Sequence, residues 1–198
     1  MFALVESGSI TKYLNGNKGI QLGDLKYPRA IYTLWTEAER NAIGIYNVEY
    51  DDTNKRNEQW YINTNQSYAF ANSKVTATYG TATAKAHADA NGVDENGDEL
   101  DPVVVIPGLK TQLIQAVKLE AANELAKTDW YITRNAEKST AIPSAITTHR
   151  DLVRSRQAAM ETSITNASNT PALETLYTYT KDSDGVTSRP LAIIPTLD

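Results

Sequence analysis

The side chains best suited to chemistry in this sequence are the carboxylates and amides of an acidic segment, Asp89–Asp101. A calcium loop of the EF-hand type needs oxygen ligands at its first and twelfth positions and a glycine at its sixth. With Gly97 at the sixth position, Gly92 and Val103 fall at the first and twelfth, and neither side chain can bind a cation. The pattern therefore favours a solvated hairpin turn. A looser cation site stays open as the alternative, with ligands from Asp94, Asn96 and Asp98.

The two histidines, His87 and His149, lie in different halves of the chain, and there is no cysteine. A zinc site needs three or four ligands with local spacing, which this sequence does not offer. It also lacks the Gly-x-Ser-x-Gly elbow of serine hydrolases and the Gly-Lys-Ser/Thr ending of a phosphate-binding loop. We therefore predict no catalytic residue, no metal site and no cofactor, and we expect His149 and Arg150 to lie on an exposed helix face.

The most informative residues are an aromatic pair that follows an Ala-rich helical segment. Trp130 and Tyr131 stand where this first helix is expected to end. One interpretation is that Trp130 closes the open end of a helical hairpin; another, compatible with it, is that the pair forms a docking patch, because Trp and Tyr are favoured anchors in protein interfaces. The candidate interaction residues are Asp129, Trp130, Tyr131, Tyr177 and Tyr179.

Two long amphipathic segments must position this pair. From Leu109 the apolar residues recur in steps of three and four, which predicts a helix that ends near Lys127–Thr128. A second helix is predicted to begin at Pro143 or Ser144, because proline is tolerated in a first helical turn, and to end around Asn166–Asn169. The Thr-Asp-Trp segment and a short charged turn separate the two helices, which makes a helical hairpin. The apolar face of the second helix contains Ile146, Leu152, Val153, Met160 and Ile164.

The first hundred residues consist mainly of short alternating segments that are typical of strands. One helix is expected among them, Glu37–Ile43, because Thr36 and Glu39 have the spacing of a capping box and Gly44 can end the helix in a left-handed conformation. Strands are predicted at Phe2–Val5, Ile10–Leu14, Ile45–Tyr50, Glu58–Asn63, Ser67–Ala71 and Lys74–Tyr79.

Two more hairpins are expected further along the chain. The acidic segment is predicted to join a strand at Ala82–Ala88 to one at Val103–Ile106. After a short helix that starts at Thr170-Pro171, a terminal hairpin is predicted from Tyr177–Lys181 and Leu191–Ile194. Together these elements predict an α+β fold. Its N-terminal module, residues 1–100, is β-rich with one short helix, and its C-terminal module, residues 101–198, is a helical hairpin followed by a β-hairpin.

Composition excludes several classes of function. The chain has 198 residues with 19 Lys and Arg against 24 Asp and Glu, a net charge of −5, which argues against nucleic-acid binding. No stretch approaches the roughly 18 apolar residues of a membrane span, so we expect no membrane association. The N-terminal residues do not resemble a signal peptide, and we expect the chain to be made in a cytoplasm. The 11 tyrosines fit half-buried strand positions or an interface.

Two segments together carry a family resemblance. The first is N-terminal and contains Ala3-Leu4-Val5-Glu6, Tyr27-Pro28 and Gly44-Ile45-Tyr46-Asn47-Val48; the second runs from Thr128-Asp129-Trp130 to Arg134, Ile142-Pro143 and Arg150. Both resemble the tail-fibre assembly proteins and related accessory tail proteins of tailed bacteriophages.

This resemblance implies a non-enzymatic protein that binds other tail or fibre subunits. It would act either as a tail-fibre assembly factor or as a fibre or baseplate accessory that stays in the virion, and so would be found in the virion tail or in the host cytoplasm during assembly. A symmetric homo-oligomer is expected by analogy with fibres. The alternative is a tail accessory enzyme that degrades polysaccharide or cell wall, which would need a cleft with paired carboxylates. No Asp or Glu stands at a position that indicates one.

Overall fold

The computed structural model describes residues 1–64 and 66–197. The predicted α+β class is confirmed, with a sheet-rich N-terminal part and helices in the C-terminal part. The chain divides into two compact units, Met1–Thr83 and Ala84–Asp198, so the division falls earlier than the predicted border at residue 100.

Hydrogen bonds explain why the residues after Thr83 belong to the second unit. The carbonyl of Ala86 accepts from the N–H of Leu109 at 2.9 Å, and the carboxylate of Asp89 accepts from the N–H of Gly108 at 2.8 Å. This segment therefore satisfies donors at the start of the first long helix, which would otherwise lack partners. Composition does not reveal such pairing, because the bonds use backbone groups that every residue carries.

The first unit is built on a five-stranded sheet with the order β2-β1-β5-β8-β7. Neighbouring strands are antiparallel except for β5 and β8, which run parallel. The predicted strand at Glu58–Asn63 is reduced to two residues. The strands are β1 (Phe2–Glu6), β2 (Ser9–Leu14), β3 (Ile20–Leu22), β4 (Leu25–Tyr27), β5 (Ile45–Asp51), β6 (Tyr61–Ile62), β7 (Ser67–Ala71), β8 (Lys74–Thr78) and β9 (Thr83–Ala84), and the helices are α1 (Ile31–Leu34) and α2 (Glu37–Ala42).

Alternation along the strands buries both faces of this sheet. Leu4 packs with Ile31 of α1 and with Ile45 on one face. The rings of Tyr13 and Tyr68, from the two edge strands, lie 4.7 Å apart, so the edges of the sheet approach each other. Tyr27, Tyr46 and Tyr68 occupy half-buried strand positions, one of the two roles expected for the tyrosines. The opposite face has small buried residues at its centre: Ala3, Val5, Val48, Val75 and Ala77.

The start and end of α2 follow the local sequence signals. The Thr36 hydroxyl accepts from the N–H of Glu39 at 3.3 Å, and the Glu39 carboxylate accepts from the N–H of Thr36 at 2.7 Å. This is the predicted capping box. Gly44 follows the helix with a φ of +80°, and an added Cβ there would meet the carbonyl oxygen of Val5 at 2.7 Å, so glycine is required.

The second unit contains the predicted pair of long helices with an extra helix between them. Val117 and Ala121 of α3 are buried, as are Val153, Met160 and Ile164 of α5, and the two helices pack along each other. The expectation that Thr-Asp-Trp is followed by a charged turn was wrong, because those residues continue as α4. The elements are β10 (Ala90–Asn91), β11 (Val105–Ile106), α3 (Leu109–Ala126), α4 (Asp129–Lys138), α5 (Ser144–Asn166), α6 (Thr170–Tyr177), β12 (Thr180–Lys181) and β13 (Thr187–Ser188).

Both hairpins of this unit use strands other than those predicted. The partner of Val105–Ile106 is β10 rather than Ala82–Ala88, and the partner of Thr180–Lys181 is β13 rather than Leu191–Ile194. In each case one of the two predicted strands pairs, and the segment predicted as its partner does not. Leu191 is buried as a core residue instead.

Candidate functional site

Trp130, Tyr131 and Arg134 form a cluster, here called the Trp130 cluster, on α4. The two rings have centroids 4.0 Å apart with an interplanar angle of 35°. The guanidinium of Arg134, one helical turn further on, lies 4.6 Å from the Trp130 centroid and 5.5 Å from that of Tyr131. Such distances are those of cation–π interactions. The cluster combines flat apolar surface with a positive charge.

This cluster lies at the surface and does not close the end of the hairpin. Trp130 is 51% exposed and α4 has no buried residue, so the interpretation of Trp130 as a plug was wrong. Within residues 1–64 and 66–197 the Arg134 guanidinium forms no ion pair, and its Nε is buried without a hydrogen-bond partner. The terminal Nη nitrogens of Arg134 also form no hydrogen bond within these described residues, and free guanidinium donors of this kind bind carboxylates well. The surface can therefore accept an apolar group and a carboxylate side by side.

A buried arginine fixes the junction from which α4 starts. Arg150 of α5 is only 7% exposed, and its Nη1 donates to the carbonyl of Leu125 at 2.8 Å and to the hydroxyl of Thr128 at 2.7 Å. The same nitrogen lies 2.9 Å from the carboxylate of Asp129. Carbonyls in the last turn of a helix lack helical partners, and carboxylates are favourable in a first turn. Arg150 thus ties the end of α3 to the start of α4.

A second polar network is centred on Glu124, in the last turn of α3. Glu124 is 5% exposed, and its Oε1 is 3.1 Å from His149 Nε2 and accepts from the N–H of Leu197 at 2.8 Å. Because a carboxylate only accepts, His149 Nε2 carries the hydrogen of this bond. The hydrogen bond from Lys127 lowers the pKa of Glu124 below its ordinary value, and those from Leu197 and His149 act in the same direction, against the opposing effect of burial.

The expectation that His149 and Arg150 are exposed was therefore wrong. Arg150 lies four residues after Ile146 and three before Val153, so it occupies the same stripe as these buried residues. Leu152, predicted on the apolar face, is 42% exposed. The helical spacing was a usable signal for Arg150, but its charge and the neighbouring charges favoured a solvated position.

The structure separates the five predicted interaction residues into two groups. Asp129, Trp130 and Tyr131 lie at the start of α4, whereas Tyr177 and Tyr179 surround Arg189, whose guanidinium is 5.4 and 5.3 Å from their ring centroids. Burial raises the pKa of Tyr177 above its ordinary value, with Arg189 opposing the shift. Tyr179 and Arg189 also line an open cavity of about 360 Å³. Asp129 pairs with Arg150, so its role is to position α4.

The acidic segment forms a turn that its own backbone stabilises. Asp94 accepts hydrogen bonds from the N–H groups of Asn96 at 2.8 Å and Asp98 at 3.0 Å. The Asp98 and Asn96 bonds hold the pKa of Asp94 below its ordinary value. Gly97 has a φ of +90°, and Val93 bridges to Glu99 across the turn. The described residues contain no group of three or more His, Asp or Glu side chains that could hold a metal ion.

Comparisons of this chain with models of known protein families, with curated proteins and with solved structures give no match. None of the helices in the described part of the chain is long and apolar enough to span a membrane.

Proposed function

We propose that this chain is a non-enzymatic bacteriophage tail protein that binds other tail or fibre subunits, either as a tail-fibre assembly factor or as a fibre or baseplate accessory of the virion. The phage assignment rests on the sequence resemblance of two segments. The N-terminal one contains Ala3–Glu6, Tyr27-Pro28 and Gly44–Val48, and the C-terminal one contains Thr128–Arg134, Ile142-Pro143 and Arg150. The binding role rests on one structural observation, the exposed Trp130 cluster.

The chemistry of this cluster defines the partner segment that it fits. Trp130 and Tyr131 offer apolar area on side chains with few rotatable bonds, and Arg134 offers unpaired donors beside them. A partner with an apolar or aromatic side chain next to an Asp or Glu would bury both on contact. Aromatic and Arg side chains are also those that contribute most to interface affinity.

The support beneath the cluster favours binding by a preformed surface. Arg150 holds Thr128 and Asp129 at the first residues of α4, so the orientation of this helix is set before a partner arrives. A surface that is already ordered loses less conformational entropy on association than a flexible one. The buried arginine therefore acts on binding through the geometry of α4.

The binding role is tested by measuring the affinity of the purified chain for fibre and tail subunits of the source phage. We expect Trp130→Ala to weaken binding at least about 30-fold, the loss typical of a central anchor. Arg134→Gln should weaken it less and reduce its dependence on salt, because the charge is lost. Ile132→Ala is the matched control, since Ile132 is on the same helix and 41% exposed. At about 100° per residue it lies on the side of α4 opposite Trp130 and Arg134. Equal affinities for Trp130→Ala and Ile132→Ala would contradict the proposal.

The two versions of the tail role are separated by copy number. Peptide mass spectrometry of gradient-purified particles should find the chain at a stoichiometry similar to that of other tail proteins if it stays in the virion. Presence in the infected-cell lysate and absence from particles identifies an assembly factor. Absence from both, at a time when tail proteins are made, would refute a tail role.

A further inference from the structure

The hairpin of β10 and β11 exposes an unusual run of aliphatic side chains. Val103, Val104, Val105 and Ile106 follow one another and are 56%, 51%, 56% and 57% exposed. Val93, on the other arm of the same hairpin, is 55% exposed. Apolar patches of a few hundred Å² on a single chain often mark interaction sites. Both faces of this short ribbon are available to a partner.

One edge of β11 is also unpaired. Asn91 lies opposite Val105, and the N–H of Gly92 donates to the carbonyl of Val104 at 2.7 Å. In an antiparallel pair the backbone groups of successive residues point alternately toward and away from the neighbouring strand. The N–H and C=O of Val105 therefore point away from β10. Within the residues that the structure describes, β11 has no strand on that side.

We propose that this free edge pairs, antiparallel, with the same edge of β11 in a second copy of the chain. The pairing places Val103 opposite Val105 of the second copy and Val104 opposite its own counterpart on a twofold axis. The result is a four-stranded ribbon with the order β10-β11-β11-β10. Twofold pairing is the commonest way in which identical chains associate. This self-association does not depend on the proposed docking of tail subunits at Trp130.

Charge favours a second copy in this orientation. The run Val103–Ile106 carries no charge, so nothing repels an identical strand. The acidic turn around Asp94–Glu99 precedes β11, and antiparallel pairing sends the two turns to opposite ends of the ribbon, whereas parallel pairing would bring them together.

Pro107 limits the pairing to this short segment. Pro107 has no N–H to donate and directly follows β11, so it ends the ladder on the free edge. A standard stable interface buries about 800 Å² per partner, and a ribbon this short buries less. We therefore expect a weak dimer whose population rises with concentration, which sets the range of the test.

The absence of cysteine from the sequence allows a direct test with the full chain. Across the twofold axis the two Val104 residues form a non-hydrogen-bonded pair with Cα atoms about 4.5 Å apart, a separation that a disulfide spans. We expect Val104→Cys to form a covalent dimer rapidly under mild oxidation. Val186→Cys is the control, because Val186 is 58% exposed in the terminal hairpin. Equal cross-linking of the two variants would overturn the proposal.

A charge exchange tests the register independently of any disulfide. Val104→Asp and Val104→Lys each place like charges opposite one another, so each variant alone should sediment as a monomer at concentrations where the unmodified chain dimerises. Their mixture should dimerise again, because the opposite charges meet. Val186→Asp should dimerise like the unmodified chain. A chain that is monomeric at every concentration up to about millimolar, or a mixture that does not recover, would overturn the proposal and assign the edge to a strand of another protein.

Discussion

Replacing the buried Arg150 by methionine should destabilise the helical unit, because it removes the contacts that tie the end of α3 to the start of α4. Methionine fills a similar volume and leaves no buried charge behind. The substitution removes the donors to the Leu125 carbonyl and to the Thr128 hydroxyl, at 2.8 and 2.7 Å, and the ion pair with Asp129.

The Thr128 contact should dominate. The Leu125 carbonyl keeps two other donors, the N–H and hydroxyl of Thr128 at 3.1 and 3.0 Å, so it is not left unsatisfied. The Asp129 side chain is 60% exposed, and exposed ion pairs contribute about 0–1 kcal/mol. Thr128 is 1% exposed, and a hydrogen bond from a charged donor to such a group contributes about 1.5–3 kcal/mol. We therefore expect a loss of about 2 kcal/mol.

Urea unfolding followed by circular dichroism at 222 nm measures this loss, because the long helices lie in the second unit. Arg154→Met is the matched control: Arg154 lies one turn later on α5, is 53% exposed and contacts Asp151 at 3.5 Å, so its loss should be within about 0.5 kcal/mol. A double-mutant cycle with Thr128→Val should give a coupling of about 2 kcal/mol, because the bond between these two residues accounts for most of the loss. If Arg150→Met is no less stable than Arg154→Met, the assigned role of Arg150 is refuted.

Two further predictions concern the stability of the folded chain at low pH and the effect of replacing Gly44. The pKa of Glu124 is lowered in the folded chain, so its contribution is complete above the ordinary value of 4.5 and is lost as the pH falls through the lowered pKa. Glu124→Gln should therefore flatten the pH dependence of the urea midpoint below pH 5, and an unchanged slope would contradict this. Gly44→Ala should cost more than Gly8→Ala. Both residues have a φ near +80°, a conformation that costs an alanine about 1–2 kcal/mol of stability. Of the two, Gly44 alone would bring the added Cβ against a backbone oxygen. Equal losses of stability in thermal unfolding would refute this clash.

The aromatic residues of the candidate site were predictable from sequence. The buried Arg150, which holds the start of their helix, was not. Trp130 and Tyr131 are recognisable because they follow an Ala-rich helical segment and because Trp and Tyr are favoured anchors in protein interfaces. Their exposure depends on α4, whose start is held by contacts of Thr128 and Asp129 with Arg150 of α5. The charge of Arg150 and the charged residues near it on α5 predict a solvated helix face, because charged side chains are rarely buried. Only the arrangement of α3 against α5 brings acceptors within 2.8 Å of its guanidinium and makes its burial favourable.

The sequence by itself determined the elements that depend on neighbouring residues. The capping box at Thr36 and Glu39, the left-handed Gly44 and the start of α5 at Ser144 all follow from hydrogen bonds and backbone conformations within a few positions. The tertiary structure decided which strands pair and which charges are buried. Ala82–Ala88 and Ala90–Asn91 are both acceptable partners for β11 by composition. The carbonyls of Ala86 and His87 accept instead from the N–H groups of Leu109 and Lys110, and β10 pairs with β11, a choice that no local pattern encodes.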